Sequence, residues 1–159
     1  MKADIEKMKE SLWNHQLDKL GCDEERVIAL FHYYNYNGNQ DMYDWCDWED
    51  VHNMVGEDYL VLTDEEADDM VREYIEDSVW AFTPSFLSSY TGIDEEVFKV
   101  LQEKYEDANT AIRSMIHEFD DFVDDAVRTD GRGHFLSPYD GKEHEVTVYN
   151  TTYYIYRVN

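Results

Sequence analysis

The chain has 159 residues, 43% of them hydrophobic and 15% aromatic, which is enough for one domain with a real core and too apolar for charge-driven disorder. Its 13 basic residues against 37 acidic ones leave a net charge of -24, which repels nucleic acid and anionic membranes and so excludes direct binding to either. Two cysteines, Cys22 and Cys46, are too few for a disulfide framework or a thiolate metal site and read as free thiols.

Residues 1–10 alternate Lys with Asp and Glu and lack the apolar stretch of a signal peptide, and no apolar run approaches the length of a membrane span. The expectation is a cytoplasmic protein. Ile5, Met8, Leu12, Trp13, Leu17 and Leu20 recur at helical spacing up to Gly21, which predicts a first amphipathic helix. Asp23 can cap a second over 24–34, carrying Val27, Ile28, Leu30 and Phe31, before the turn signal Asn37-Gly38. A short helix is predicted over 47–55, and Tyr59-Leu60-Val61-Leu62 reads either as a short strand or as a buried connector.

Thr63 with Glu66 three residues on is a capping box, so a helix should begin there. Its inward stripe is Ala67, Met70, Val71, Tyr74, Ile75 and Val79, leaving Asp64, Glu65, Asp68, Asp69, Glu73, Glu76 and Asp77 outward. Thr83-Pro84 starts a further short helix anchored by Phe86, Leu87 and Tyr90 and ended by Gly92. From 94 to 128 the apolar period scarcely falters, which predicts one central core helix, or two on the same pattern with a break over 107–110.

After Asp130-Gly131 the period becomes two: Phe135, then Val146 and Val148, then Tyr154, Tyr156 and Val158, with Asp140-Gly141 as a hairpin turn. The expectation is a three-stranded antiparallel meander. The fold class that follows is α+β, mainly a helical bundle with a small C-terminal three-stranded antiparallel sheet. It is read as a single domain over 1–159, with a helical region 1–58, acidic helices and a core helix over 59–129, and the meander over 130–159.

Charge is the feature that points to function. Residues 128–159 are neutral, and between Arg26 and Arg72 twelve acids meet no Lys or Arg. Asp64, Glu65, Glu66, Asp68, Asp69, Glu73, Glu76 and Asp77 place eight acids and one Arg in fourteen residues. At ~1.5 Å rise that is one net negative charge per ~3 Å. A DNA strand carries one per ~3.4 Å. Asp120, Asp121, Asp124 and Asp125 form a second cluster, and Asp41, Asp44, Asp47 and Asp50 a third, interleaved with Tyr43, Trp45 and Trp48.

Proteins whose ligand is DNA or RNA are steered toward such a surface as they are toward phosphates. Large amphipathic rings are common interface anchors, so Tyr43, Trp45 and Trp48 are candidate anchors, with core packing of the two tryptophans as the alternative. The candidate partner-binding set is therefore Asp41, Tyr43, Asp44, Trp45, Asp47, Trp48, Asp64, Glu65, Asp68, Asp69, Glu73, Glu76, Asp120, Asp121 and Asp124.

Metal and enzyme chemistry find less support. The Asp41 to Asp50 series lacks the ligand alternation and turn glycine of a calcium loop. Glu49 and His52 make one Glu-x-x-His pair where a di-iron bundle needs two, and His117 with Asp121 one turn on is as readily an intrahelical bond. No phosphate-binding glycine loop, nucleophile elbow, Cys-x-x-Cys or zinc-protease motif occurs. Gly131-Arg132-Gly133-His134 reads as a bend between helix and strand more simply than as an anion nest. No catalytic residue, metal or cofactor is expected.

In Thr63-Asp-Glu-Glu-Ala-Asp68, Ser78-Val-Trp-Ala-Phe82, Gly131-Arg-Gly-His-Phe-Leu-Ser-Pro-Tyr-Asp-Gly141 and Tyr153-Tyr-Ile-Tyr-Arg-Val-Asn159 the chain resembles small acidic proteins encoded by bacteriophages and mobile elements. The resemblance spans roughly 59–159 and implies no particular activity or site residues. In size, charge and mixed helix and strand content the chain is similar in kind to DNA-mimicking antirestriction and anti-CRISPR proteins. The expected function is that of a nucleic-acid mimic inhibiting a basic DNA- or RNA-binding defence protein of the host cell. The alternative is an interaction module whose acidity serves only solubility. A homodimer through a sheet edge or the aromatic loop is the self-association the sequence offers.

Overall fold

The four residues Tyr59-Leu60-Val61-Leu62, ambiguous on pattern, are a strand because an antiparallel partner from the far end of the chain lies beside them. The structure, a computed structural model, describes residues 24–36 and 48–159. The expected first helix, the Asn37-Gly38 turn, both cysteines and the loop candidates Asp41, Tyr43, Asp44, Trp45 and Asp47 lie outside the described residues.

In chain order the elements are α1 (Glu24–Tyr36), α2 (Trp48–Met54), β1 (Tyr59–Leu62), α3 (Asp64–Asp77), a 3-10 turn (Val79–Ala81), α4 (Pro84–Thr91), α5 (Glu95–Gln102), a second 3-10 turn (Tyr105–Ala108), α6 (Asn109–Met115), α7 (Phe119–Asp130), α8 (Arg132–Leu136), β2 (His144–Val148) and β3 (Thr151–Arg157). This is an α+β fold with a small three-stranded antiparallel sheet, as the sequence predicts. Two compact units emerge, Met1–Asp68 with Arg132–Asn159, and Asp69–Gly131. Among the described residues no helix is long and apolar enough to cross a membrane.

In the first unit β3 is the central strand, paired antiparallel with β1 and with β2. Residues opposed across the ladders share a face, so Val61, Val146, Val148, Tyr153 and Ile155 look one way and Leu62, Tyr154 and Tyr156 the other. The first face joins Val27, Ile28, Leu30 and Phe31 of α1 and Trp48 and Val51 of α2 in one buried cluster. Residues 27–33 of α1 are buried without interruption, so this helix is enclosed rather than laid on a surface. Phe31 and Trp48 stack with ring centroids 3.7 Å apart.

The meander differs from expectation in its first strand. Phe135 is buried on α8, a helix, and the third strand of the sheet is β1. The 131–143 corner is closely packed. A Cβ on Gly133 would lie 2.5 Å from the Gly141 carbonyl oxygen and 2.8 Å from the Lys142 carbonyl carbon, so the chain folds back on itself here. The buried Ser137 hydroxyl donates to Asp140 across 2.8 Å and accepts from the Arg157 amide across 3.2 Å, tying the corner to the end of β3. Asp140-Gly141 turns the chain into this corner, and the hairpin proper closes at Tyr149-Asn150, between β2 and β3.

In the second unit the predicted core helix is three helices. The chain breaks at Tyr105, whose φ is 50°, and again at Ile116, which is extended. The apolar period runs through both breaks because α5, α6 and α7 each keep an inward stripe: Phe98, then Ile112, then Phe119, Phe122, Val123 and Ala126. Phe82, Phe86 and Tyr90 pack on Phe122 with centroids 4.8 to 5.2 Å away. The irregular link at 78–82 is held by side-chain amides. Gln102 donates to the carbonyls of Trp80 and Phe82, and Asn109 accepts from the Trp80 amide while donating to the Glu76 carbonyl. Tyr74, expected inward on α3, is exposed, and so are Val97 and Tyr105, apolar positions of the 94–128 run expected to face the core.

Gly133→Ala should cost about 1 to 3 kcal/mol, because the added methyl meets backbone rather than a flexible side chain. Urea unfolding of the variant measures this, and wild-type stability would show the corner to be loose.

Candidate functional site

The capping box forms as the sequence predicts: the Thr63 amide donates to the Glu66 carboxylate across 2.8 Å and the Glu66 amide to the Thr63 hydroxyl across 3.3 Å. From this start the side chains of α3 fall into four rows of four-residue spacing, each step rising ~6 Å. Ala67, Val71 and Ile75, continued by Val79, form the buried row. Glu66, Met70 and Tyr74 form a second, in which Arg26 grips Glu66 with two bonds of 2.7 and 2.8 Å.

The third row is Asp64, Asp68, Arg72 and Glu76. Arg132, whose side chain is only 11% exposed, bonds Asp64 at 2.8 Å and Asp68 at 2.9 Å. The same guanidinium takes Glu143 at 2.8 Å and lies over the Tyr154 ring, and the Tyr156 hydroxyl donates to Glu143. Glu76 is held by Arg72 and, at 2.9 Å, by Arg113, whose guanidinium rests on the Phe119 ring. Four of the eight acids of this helix are therefore matched by arginines of the chain itself.

The fourth row is Glu65, Asp69, Glu73 and Asp77. All four are exposed, and among the described residues none has an ion-pair partner. Like charges at four-residue spacing cost a helix about 0.2 to 0.5 kcal/mol per pair. Glu73 and Asp77 also approach the negative end of the helix dipole, where the last turn has no basic residue. Glu65, in the first turn, is favoured by the positive end of that dipole, whereas Asp69, Glu73 and Asp77 repel along this open ridge and weaken the helix.

On α7 the acids divide in the same way. Asp120 bonds Arg72 at 3.0 Å, and Asp125 bonds Arg128 and accepts from the Tyr90 hydroxyl. Burial first, and then this bond, push the Tyr90 phenol up to about 12. Asp121 and Asp124 are exposed, with no ion-pair partner among the described residues.

Of the candidates that can be placed, then, Glu65, Asp69, Glu73, Asp121 and Asp124 present unmatched charge, while Asp64, Asp68, Glu76 and Asp120 are neutralised. Trp48, proposed as an anchor, is instead fully buried in its stack with Phe31, which is the core alternative. The matched acids lower the line charge of α3 from one per ~3 Å to one per ~6 Å along the open ridge, about half that of a DNA strand. Sequence reasoning missed the arginines that do this. The one available signal was the enclosure of Arg132 between two glycines, in a segment noted only as a bend.

Among the described residues no group of three or more His, Cys, Asp or Glu side chains is arranged to hold a metal ion. The Gly131 to His134 segment offers no open cationic site either, since the Arg132 guanidinium is occupied by three carboxylates. No known protein family, curated protein or solved structure matches the chain.

The bond from Arg26, with that from the Thr63 amide, holds the Glu66 carboxyl down at about 2. Its folded-state pKa is depressed, so the stabilisation is present above the ordinary glutamate value of 4.5 and is lost as pH falls through about 2. Glu66→Gln keeps a capping-box acceptor and removes this titration. Between these pH values its unfolding free energy should fall less steeply than that of the wild type; parallel curves by urea titration would contradict the assignment.

Proposed function

We propose that the protein binds a cationic surface on a nucleic-acid-binding protein and blocks it, the carboxylates of the α3 ridge standing in for phosphates. The observation that carries this reading is the ridge itself: Glu65, Asp69, Glu73 and Asp77 are evenly spaced, exposed and unmatched among the described residues. An arrangement that costs stability and could be removed by single substitutions is expected to persist where function uses it. The resemblance to acidic phage and mobile-element proteins suggests a host defence protein, such as a restriction enzyme or CRISPR effector, as the target class.

A second reading has its own observation. Half of the α3 acids are occupied internally, and the open ridge is only about half as dense in charge as a nucleic-acid strand. On that reading the protein is an interaction module of another kind, and its acidity serves solubility.

Capture from a bacterial lysate separates the two. With wild-type protein as bait, the mimic reading predicts a basic nucleic-acid-binding protein that is released by salt and by added DNA. The bait carrying Glu65→Gln, Asp69→Asn, Glu73→Gln and Asp77→Asn should lose it. A partner that survives high salt and is retained equally by the variant would sink the mimic reading.

A further inference from the structure

Within the second unit, the segment from α5 to the following 3-10 turn exposes three large apolar side chains in nine residues. Val97 is 43% exposed, Val100 63% and Tyr105 68%. Val97 and Val100 stand one turn apart on one face of α5. The last turn tightens through bonds from the Glu103 amide to Val100 and from the Lys104 amide to Leu101, so Tyr105 follows directly at the helix end. Its ring meets Trp80 edge-on at 6.1 Å, and Trp80 is fixed through its backbone by Gln102 and Asn109.

Tyr105 occupies a position that stability alone would assign to another residue. Its φ of 50° is the left-handed conformation that glycine takes freely after a helix end and that a ring-bearing residue takes at a cost. A tyrosine there is strained and mostly in solvent. Buried tyrosines repay their cost within the fold; this one, 68% exposed, meets the Trp80 ring edge-on.

The rim decides the chemistry of the occupant. Over 94–107 there are six acids (Asp94, Glu95, Glu96, Glu103, Glu106 and Asp107) against Lys99 and Lys104, and Lys99 is engaged by Glu96 at 2.6 Å. Glu103, Glu106 and Asp107 are exposed, with no ion-pair partner among the described residues. A second copy of the chain would bring a further -24 and is disfavoured by repulsion, as is an anionic membrane. An apolar centre with an acidic rim complements a cationic amphipathic segment, which offers apolar side chains flanked by Lys and Arg.

We propose that Val97, Val100 and Tyr105 form a docking surface for a cationic amphipathic helix of a partner protein. This rests on the reading that the protein binds a cationic partner, and it names the apolar part of that contact. The surface supplies what an open carboxylate ridge cannot: discrimination among cationic partners, with charge governing encounter and the three apolar side chains governing retention.

The test uses two synthetic peptides on the full chain at low salt, one with Leu at helical spacing and Lys elsewhere, the other with every Leu replaced by Ser. The Leu peptide should bind about tenfold tighter by calorimetry, with NMR shifts centred on the Val97 and Val100 methyls and the Tyr105 ring. Val100→Ser combined with Tyr105→Gly should abolish that tenfold while leaving the affinity for the Ser peptide, and Tyr105→Gly alone should melt no lower than wild type. Equal affinities for the two peptides, or Leu-peptide shifts elsewhere, would overturn the docking surface alone. Failure of both peptides to bind would overturn the cationic-partner reading with it.

Discussion

The first unit depends on one guanidinium. Arg132 is nearly enclosed, and a charge so far removed from water is tolerable only when its donors are matched. Asp64 and Asp68 from the start of α3 and Glu143 from the approach to β2 do this, with the Tyr154 ring beneath and the Tyr156 hydroxyl completing Glu143. Burial works against the charged form, but the bonds to Glu143 and Asp64 outweigh it and hold the pKa above the ordinary arginine value. The glycine that follows is equally constrained, since Gly133 lets the 141–143 backbone come close enough to bring Glu143 to Arg132.

That anchorage sets which face of α3 is open. With Ala67, Val71 and Ile75 buried, Asp64 and Asp68 bound by Arg132, and Glu66 bound by Arg26, rotation of the helix is settled and the remaining row points to solvent. The acids of α3 thus separate into two populations. One is structural, its members matched to Arg26, Arg113 and Arg132, each of which is mostly buried and lies over an aromatic ring. The other is unmatched and mildly destabilising, and it is on this second population that a binding function has to rest. A partner reached by charge alone would be poorly discriminated; in the proposed docking surface the exposed valines and tyrosine of the second unit would add apolar contact.

Local chemistry made much of this legible in the sequence. The Thr63 and Glu66 capping box and the Thr83-Pro84 start and Gly92 stop of α4 each specify an element through residues a few positions apart. What escaped was non-local. β1 is too short for a period to show, and its strand character comes from pairing with β3 across the length of the chain. The run from 94 to 128 hid its breaks because apolar spacing continues across them, and a tyrosine in the left-handed region leaves no signature that glycine would have left. The division of the acids was the least legible of all: the arginines that neutralise Glu76, Glu66 and Asp64 stand 37, 40 and 68 residues away, while the charge count sees only neighbours.

If the Glu65, Asp69, Glu73 and Asp77 ridge serves a partner rather than the fold, its repulsions cost the free protein stability. Urea unfolding of the wild type and the fourfold Gln/Asn ridge variant, from ~0.01 M to ~1 M NaCl, measures that cost, because the screening length shrinks from ~30 Å to ~3 Å over that range. The variant should be more stable by roughly 1 kcal/mol at low salt, with the difference vanishing at high salt. A variant less stable than wild type at low salt would contradict this, for the ridge carboxylates would then be working within the fold and would not be left over for a partner.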